Sequence, residues 1–334
     1  MSIVADVTQV KEVYKEAGEN GWVLPCICTE NLSTTEAILS AASEFGKQKG
    51  IKNVPIIIAI TNNYHGRSQT LNYTHTKDWK TGLNLFTNDI KTLAGKGCYF
   101  ENVRVMMHLD HIQFDADEEL INSDLSDYAS IMYDASVLPF EKNIELTAKF
   151  VEKRQKDIFI EGACDEIVDA TGQQRNDLTT PENAVRYIND TGVSMIVANL
   201  GTEHRATGKE LTYHSDVARS IKEKIGPNIV LHGTSSVTNE QVRNLYKDGI
   251  CKVNIWTALE RDSSPVLFEK MITSACKTAG PKMVEKLISE GYLTNKCFTG
   301  ENISISNFTT VYRQNIIFNE MKNIVAAYLD MWYI

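Results

Sequence analysis

Three histidines each end a short apolar run that is rich in β-branched residues. His111 ends VRVMMHLDH, His204 ends MIVANLGTEH and His232 ends IVLH. Parallel strands of one barrel bring their carboxyl ends to a common rim, so these imidazoles can converge on a single metal ion. Three neutral imidazoles with one open coordination position form a catalytic zinc site, where zinc acts as a Lewis acid. A single histidine at a strand end is more often a hydrogen-bonded loop residue than a metal ligand, but the shared placement of the three favours zinc.

Two carboxylates accompany the histidines as candidate catalytic residues. Asp110 immediately precedes His111, and a carboxylate beside a divalent cation can ligate it or exchange protons with a substrate. Without the neighbouring histidines, Asp110 would be interpreted as a helix cap. Glu161 ends another apolar run, where a charge needs a partner, so we predict that it faces the cavity rather than the core.

Small and hydroxyl-bearing residues follow the last two apolar runs. Gly233, Thr234 and Ser235 belong to the turn GTSS, and Asn254 and Thr257 belong to NIWT. In a (β/α)8 barrel, the loops after the seventh and eighth strands often bind phosphate through backbone N–H groups and a helix start. The two turns therefore predict an anion site beside the metal.

Eight short strands must position these residues. Most of the apolar runs lack polar–apolar alternation, which is typical of parallel strands buried on both faces. No Gly-rich nucleotide loop supports an open doubly wound sheet, so we predict an α/β fold with a single (β/α)8 (TIM) barrel. The predicted strands are Trp22–Cys28, Val54–Thr61, Val103–Leu109, Ser130–Asp134, Asp157–Glu161, Ser194–Ala198, Ile229–His232 and Lys252–Ile255.

Segments with helical periodicity separate these strands. Cap residues mark two of their starts, since Ser33 to Thr35 supply hydroxyl groups and Pro181 follows a Thr-Thr pair as the first helical residue. The predicted helices are Ser33–Gln48, Leu138–Lys153, Pro181–Asn189, Lys209–Lys224, Thr238–Lys247 and Leu259–Thr278.

Two regions exceed the minimum for a barrel. Asn62–Asn102, between the second and third predicted strands, is longer than one crossover helix needs, and we expect its polar, aromatic first half to cover the barrel mouth. We predict a barrel domain at 1–280 and a C-terminal helical extension at 281–334, packed on the barrel or on a partner subunit. The apolar end of this extension, MWYI, suits a docked terminus or an oligomer contact.

The composition argues against several classes of protein. A formal net charge of −9, with no basic block, argues against a nucleic-acid partner. No apolar run is long enough to span a bilayer, and the first residues, MSIVADVTQVKE, lack the apolar core of a signal peptide. The seven cysteines are scattered, which indicates reduced thiols. We therefore expect a cytoplasmic protein without a membrane partner.

Six motifs resemble the class II (zinc-dependent) fructose-bisphosphate/tagatose-bisphosphate aldolase family, in the same order and with similar spacing over residues 20 to 262. The resemblance implies a TIM barrel and a homodimer or homotetramer. It also implies retro-aldol cleavage of a phosphorylated ketose between C3 and C4, which gives dihydroxyacetone phosphate and an aldehyde, as in glycolysis. The motifs are HLDH at 108–111, DASVLPFEKNI at 134–144, TTPENAVRYINDTGV at 179–193, NLGTEH at 199–204, IVLHGTSS at 229–236 and GICKVNIWTAL at 249–259.

The resemblance implies roles for individual residues. His111, His204 and His232 correspond to the zinc ligands, and Asp110 corresponds to the acid/base that takes the proton from the C4 hydroxyl. A monovalent cation is a further candidate cofactor near the phosphate. The residues assigned to the substrate and phosphate site are Thr61, Gly201, Gly233, Thr234, Ser235, Asn254 and Thr257.

This sequence departs from the family pattern around the substrate. Ala163 replaces the second glutamate of the motif that contains Glu161, Arg205 follows His204 where glycine is usual, and Trp256 occupies a position that is usually small or acidic. Arg205 offers a charged fork for a phosphate, sulfonate or carboxylate. The identity of the ketose therefore stays open. The alternatives are a zinc epimerase or hydrolase acting on a sugar acid or sugar phosphate, and a non-catalytic sugar-phosphate binder.

Overall fold

The computed structural model describes residues 2–173 and 177–333 and contains a closed barrel of parallel strands. The strands are β1 (Ile3–Val4), β2 (Leu24–Cys28), β3 (Val54–Thr61), β4 (Val103–Gln113), β5 (Ser130–Asp134), β6 (Phe159–Ala163), β7 (Met195–Val197), β8 (Ile229–Leu231) and β9 (Ile250–Ile255). Strands β2 to β9 follow one another around the barrel, and the pairing of β9 with β2 closes it. The short β1 pairs with the start of β4.

Burial on both faces explains the unbroken apolar runs. All eight residues of β3 and all five of β2 are buried. Such a strand faces the barrel interior on one side and a helix on the other, so its sequence has no polar face. Each of the eight predicted strands overlaps an observed one, and the predicted TIM barrel is confirmed.

Helices surround the barrel and continue beyond the last strand. Short 3₁₀ turns cover Thr234–Ser236 and Asn295–Cys297. The helices are α1 (Val7–Glu19), α2 (Leu32–Lys49), α3 (Gln69–Asn72), α4 (Trp79–Ala94), α5 (Glu118–Ile121), α6 (Phe140–Arg154), α7 (Pro181–Thr191), α8 (Ser215–Ile225), α9 (Leu245–Asp248), α10 (Thr257–Thr273), α11 (Ala275–Ala279), α12 (Pro281–Ser289), α13 (Ile305–Phe308) and α14 (Thr310–Trp332).

The predicted helices Lys209–Lys224 and Thr238–Lys247 differ from the structure because the side chain of one glutamine bonds to the backbone where the first was expected to begin. α8 begins only at Ser215, since the backbone N–H of Tyr213 donates to the side chain of Gln241 at 2.8 Å. The same side chain donates to the carbonyl of Leu211 at 3.1 Å, and the chain turns around it. The prediction of a helix over Thr238–Lys247 is wrong except for the residues that belong to α9.

A bulge in β4 directs two consecutive side chains into the barrel mouth. In a regular strand, neighbouring residues point to opposite faces. The register of β4 on β5 shifts between Leu109 and Ile112, and His111 has a φ of 48°. An extra residue of this kind bends the strand and redirects a side chain. The bulge therefore explains how Asp110 and His111 both line one cavity.

The long connection after β3 folds back over the mouth, as expected. The Thr61 hydroxyl donates to the carbonyl of Arg67 at 2.7 Å, and the Thr61 N–H donates to Gln69 Oε1 at 2.9 Å. These bonds fix the loop before α3 and α4 return along the barrel. They place Tyr64 and Arg67 in the cavity wall.

The C-terminus docks at the opposite end of the barrel. Trp332 Nε1 donates to the carbonyl of Val242 at 2.8 Å, and the Tyr333 hydroxyl donates to the carbonyl of Pro55 near the start of β3. The apolar end thus packs on its own chain. Among the helices of residues 2–173 and 177–333, none is both long and apolar enough to cross a bilayer.

Candidate metal centre and active site

The three predicted histidines meet above the barrel. His111 lies near the end of β4, His204 follows β7 and His232 follows β8. The Nδ1 of His232 lies 3.1 Å from the Nε2 of His111 and 3.2 Å from the Nε2 of His204. The three candidate ligand atoms all lie within 4.8 Å of one another. The structure therefore brings together all three residues predicted to bind the metal.

Outer hydrogen bonds determine which nitrogen of two imidazoles faces the centre. His111 Nδ1 lies 2.8 Å from Asp134 Oδ2, and His204 Nδ1 lies 3.1 Å from the hydroxyl of Tyr64. A carboxylate only accepts, so the Nδ1 of His111 carries the proton and its Nε2 keeps a free lone pair. The ring of Tyr64 also stacks on His111, with 4.2 Å between centroids. Such partners orient metal ligands in proteins.

The donor set fits a zinc ion. Zinc–nitrogen bonds of about 2.0–2.1 Å in a tetrahedral site place the ligand nitrogens about 3.3 Å apart, close to the 3.1 and 3.2 Å observed. The two Nε2 atoms face one Nδ1, which has at most one proton to share, and a cation relieves the remaining repulsion. His111, His204 and His232 are thus suited to hold zinc.

Burial keeps two of the imidazoles neutral. Burial, reinforced by the nearby His111, lowers the pKa of His204 to about 3, and burial lowers the pKa of His232 well below its usual range. Burial also acts to lower the pKa of His111, but Asp110 and Asp134 outweigh it and raise that pKa. A neutral imidazole is the form that binds a metal, and the two carboxylates favour a cation at this point.

One cavity at the mouth contains most of the predicted site residues. Its empty volume is about 560 Å³, part of which is open to solvent. The predicted residues that line it are Thr61, Asp110, His111, His204, Arg205, His232, Gly233, Thr234, Ser235, Asn254 and Thr257.

Asp110 is held as a carboxylate beside the histidines. Its Oδ1 accepts from Asn254 Nδ2 at 2.8 Å, and its Oδ2 accepts from the thiol of Cys28 at 3.3 Å. Burial disfavours this charge, but His111 and the adjacent His108 outweigh burial and lower the pKa of Asp110 well below its usual range. Asp110 is therefore ionised and positioned to accept a proton from a bound ligand.

The structure corrects the expectation that Glu161 faces the cavity. Its carboxylate is fully buried in the barrel interior, where both oxygens accept from Lys252 Nζ at 2.6 and 2.8 Å. The partner that the buried charge requires is thus a lysine on β9. Gly201 also lies outside the cavity wall, and it shapes the turn before His204. It has a φ of 88°, and its N–H donates to Asn199 Oδ1 at 3.0 Å.

The turn after β8 allows a close backbone approach. Gly233 has a φ of 70°, and a Cβ at this position would lie 2.7–2.8 Å from backbone atoms of Glu203. Glycine is the residue that tolerates both conditions. The 3₁₀ turn Thr234–Ser236 follows, and it lines the cavity together with Thr257, where α10 begins. Backbone N–H groups at a helix start can bind a phosphate.

Arg205 lies at the cavity edge with its charge already neutralised. Its Nε donates to Asp169 Oδ1 at 2.9 Å, and its Nη2 donates to Asp169 Oδ2. A guanidinium that binds one carboxylate through two nitrogens has used one of its forks. Its Nη1 has no hydrogen-bond partner among residues 2–173 and 177–333, so this nitrogen is left for the predicted contact with a substrate anion.

A family model described as fructose-bisphosphate aldolase class-II matches residues 8–323. The chain belongs to the class II fructose-bisphosphate aldolase family. Fructose-bisphosphate aldolases from the TIGR4 and R6 strains of Streptococcus pneumoniae are 28% identical to it over 262 residues, which cover 75% of this chain and 79% of each relative. The family resemblance of the motifs is confirmed, and the low identity indicates a divergent member.

Solved aldolase structures share the barrel of this class II family member. The fructose-bisphosphate aldolase from Campylobacter jejuni superposes with a TM-score of 0.76 at 15% identity, covering 99% of this chain and 95% of that chain. The YdjI aldolase from Escherichia coli K12 superposes with a TM-score of 0.65 at 16% identity, covering 99% and 97%. At such identities the likeness establishes the fold. The family indicates the class of reaction, an aldolase (a carbon–carbon lyase) that acts on a sugar phosphate.

In this family member, two cavity residues come from a segment without a motif. Tyr64 contacts two of the predicted metal ligands. Arg67 lies over the ring of Trp256, 3.9 Å from its centroid, and its Nη2 pairs with Glu30. The segment NNYHGRSQT has no periodicity, so only its aromatic and basic residues hinted at a role. Asp134 was not predicted as a site residue either, although it opens the motif DASVLPFEKNI.

Proposed function

We propose that the protein is a zinc-dependent aldolase that cleaves a phosphorylated ketose between C3 and C4 into dihydroxyacetone phosphate and an aldehyde. The observation that carries this proposal is the convergence of three imidazole nitrogens beside the ionised Asp110 in one cavity. Family membership supports the class of reaction, and the turn after β8 supports a phosphate on the ligand.

Side chains from three strand ends would hold the metal. His111 and His232 would bind it from β4 and β8, and His204 would bind it from the loop after β7. A zinc ion bound here polarises the ketose carbonyl as a Lewis acid. Asp134 and Tyr64 hold the outer nitrogens of His111 and His204, so these two rings keep their orientation.

Asp110 moves the proton in the proposed reaction. Its carboxylate takes the proton of the C4 hydroxyl while the C3–C4 bond breaks and C4 becomes an aldehyde carbon. The bonding electron pair stays with the three-carbon fragment, which becomes dihydroxyacetone phosphate when solvent water supplies a proton to C3, and Asp110 returns the proton that it accepted to solvent. Asn254 and Cys28 bond to the two carboxylate oxygens and so fix the carboxylate for this transfer.

The phosphate of the three-carbon half occupies the anion site beside the metal. Gly233, Thr234 and Ser235 supply backbone N–H groups and hydroxyls, and Thr257 supplies the start of α10. Thr61 acts from β3 by anchoring the loop that carries Arg67. The monovalent cation near this phosphate stays a prediction.

The two predicted residues outside the cavity wall receive structural roles in this proposal. Glu161 neutralises the buried Lys252 beneath the site. Gly201 shapes the turn that carries His204 into the cluster.

We also propose that the enzyme is a homodimer or homotetramer. The segment 264–311, here called the helical arm, carries eight of the twelve large apolar side chains that are exposed in residues 2–173 and 177–333. Apolar side chains concentrated in one region support a protein interface. The eight are Phe268, Met283, Tyr292, Phe298, Ile303, Ile305, Phe308 and Val311. The cytoplasmic location and the glycolytic role stay predictions.

A metal-depletion assay tests the proposed activity. The protein is stripped with a chelator, restored with zinc, and incubated with a panel of ketose phosphates while dihydroxyacetone phosphate is measured. Cleavage should disappear on stripping and return with zinc. Asp110→Asn keeps the shape of the side chain but removes the proton acceptor, so it should lower kcat by roughly 100-fold or more while zinc content stays unchanged.

Other outcomes separate the alternatives. Cleavage that survives complete zinc removal, or an Asp110→Asn variant as fast as the parent, would contradict the proposed mechanism. Tight binding of sugar phosphates without any product would indicate a non-catalytic binder. Formation of an epimer, or release of a hydrolysis product, would indicate one of the other zinc barrel enzymes.

A further inference from the structure

Two arginines line the cavity, and they differ in the donors that they have left for a ligand. Arg205 uses its Nε and Nη2 on Asp169. Arg67 uses Nη2 on Glu30, and its Nε is buried without a hydrogen-bond partner among residues 2–173 and 177–333. Arg205 is thus held by two bonds to one carboxylate, whereas Arg67 has a single contact with Glu30 and keeps more of its donors for a ligand.

Arg67 is held in place before any ligand arrives. Its backbone carbonyl accepts from the Thr61 hydroxyl at 2.7 Å, which ties the loop to the end of β3. Its guanidinium lies over the ring of Trp256, with Cζ 3.9 Å from the ring centroid, and Trp256 links β9 to α10. A donor fixed in this way loses little conformational entropy when it binds an anion.

Buried polar atoms without partners concentrate at this corner of the cavity. Within the described part of the chain they include Arg67 Nε, Trp256 Nε1 and Asn254 Oδ1, which all belong to residues of the cavity wall. Native proteins satisfy nearly all buried polar groups, so these exceptions show that the hydrogen bonding of this corner is incomplete.

The part of the ligand that contacts Arg67 follows from the cavity residues that have no other role in the proposed function. In the proposed function, the turn after β8 and the start of α10 take the phosphate of the three-carbon half, and the histidines with Asp110 take the reacting carbons. The wall left for the aldehyde half contains Cys28, Thr61, Tyr64, Arg67, Gln69, Arg205 and Trp256. Arg67 and Arg205 are its charged members, and Arg205 is already held by two bonds to Asp169.

We infer that Arg67, stacked on Trp256, determines specificity by binding an acidic group on the aldehyde half of the ketose. The inference rests on the proposed function. A phosphate, carboxylate or sulfonate shares the required chemistry, since each presents several negatively charged oxygens to a guanidinium. In the absence of this group, Glu30 forms an ion pair with Arg67. Burial raises the pKa of Glu30 even beside Arg67, so the carboxylate is poorly stabilised and an incoming anion can replace it.

Calorimetry with ligands that cannot be cleaved tests the inference independently of lyase activity. The probes are hexitol 1-phosphate, which lacks the second acidic group, and hexitol 1,6-bisphosphate, which has it. Polyol 1-phosphates that end in a carboxylate or a sulfonate identify the preferred anion. The zinc-loaded parent should bind at least one doubly acidic probe roughly 10- to 100-fold tighter than the monophosphate, the range expected for charged hydrogen bonds.

Three variants decide the role of Arg67. Arg67→Ala should abolish the preference for the second acidic group and change monophosphate affinity less than about threefold. Arg67→Lys should keep part of the preference, because lysine retains the charge without the fork. Glu30→Gln should bind the acidic probe at least as tightly as the parent, because it removes the competing carboxylate.

Controls protect the test against misfolding and non-specific charge effects. Arg67→Ala leaves Glu30 without its partner, so the double variant Arg67→Ala/Glu30→Gln is measured as well and should behave like Arg67→Ala. Arg243→Ala removes one exposed positive charge elsewhere and should keep the full preference. A parent without preference, or equal losses for both probes in Arg67→Ala, would overturn the inference. Because no cleavage is required, an absent lyase activity would refute the proposed function and leave this result interpretable.

Discussion

The imidazole of His204 is oriented by a residue that lies outside every sequence motif. Tyr64 places its hydroxyl 3.1 Å from His204 Nδ1 and stacks its ring on His111. The next acceptor, Asp169 Oδ1, lies 3.8 Å from the same nitrogen, too far for a good hydrogen bond. Tyr64 thus determines which nitrogen of His204 faces the metal position.

Removing the Tyr64 hydroxyl should weaken zinc binding. Tyr64→Phe keeps the ring on His111 but deletes the partner of His204 Nδ1. Zinc affinity should fall roughly tenfold, the lower end of the range for outer partners of metal ligands, because Asp169 can move closer as a substitute. Competition with a chromophoric chelator measures this change. Tyr292→Phe alters an exposed tyrosine and should have no effect; equal affinities for the parent and Tyr64→Phe would contradict the assigned role.

Functional residues could be predicted from the sequence where they belong to a recognisable motif. The three histidines and Asp110 were found because each follows an apolar run at a strand end. Tyr64 and Arg67 were missed, because their placement depends on hydrogen bonds between Thr61 and the loop that follows it. Local sequence carries no periodic signal for such a loop.

At the scale of elements, β6 and β9 are linked across the barrel interior by one ion pair. Glu161 on β6 and Lys252 on β9 are both fully buried, and Lys252 Nζ also lies 3.1 Å from His108 Nε2 on β4. Lysine has three donor hydrogens, and these three contacts use all of them. Burial acts to lower the pKa of Lys252, but Cys26, Glu161 and Asp110 outweigh it and raise the pKa, so the lysine stays charged.

Breaking this pair should destabilise the barrel strongly. Lys252→Met leaves Glu161 buried without a counter-charge, so the free energy of unfolding should fall by about 3–5 kcal/mol. The double variant Lys252→Met/Glu161→Leu removes both charges and should recover much of that loss. Urea unfolding followed by circular dichroism measures both variants, and both lack the contact to His108, so the comparison isolates the ion pair.

The same double variant separates a structural role of Glu161 from a catalytic one. If Glu161 only neutralises Lys252, aldolase activity per folded molecule should persist in the double variant. A stable double variant with activity lowered by a factor of 100 or more would restore the catalytic role predicted from the sequence.

Strands were predictable because burial on both faces leaves a plain apolar run. Helix boundaries were less predictable from the sequence. The side chain of Gln241 makes tertiary hydrogen bonds to the backbone of Leu211 and Tyr213, and these bonds replace the backbone hydrogen bonds of a helix. The bulge of β4 was also missed, because Asp110 and His111 were interpreted as residues that follow a strand ending at Leu109, whereas they lie within β4. Local propensity yields to tertiary contacts at such points.

At the scale of the whole molecule, charge and apolar surface are unevenly distributed. The chain carries a formal net charge of −9, but the helical arm is nearly neutral, with five lysines against four glutamates. Its own buried cluster contains only Ala275, Cys276 and Val284. Two acidic copies repel one another least where their surfaces are neutral, so the arm is the part on which they can meet. The division of the chain at residue 280 stays a prediction.

Charged substitutions on the helical arm should therefore dissociate the oligomer. Phe268 and Ile305 are 68% and 70% exposed, and burying an aspartate in their place at an interface is strongly unfavourable. Light scattering at several concentrations should give the parent a mass of at least twice 37.5 kDa and the variant Phe268→Asp/Ile305→Asp the mass of one chain. Tyr99→Asp, at an 85% exposed apolar residue outside the arm, should keep the mass of the parent. A parent that stays monomeric at every concentration, or an arm variant that keeps the parental mass, would show that these apolar residues do not hold copies of the chain together.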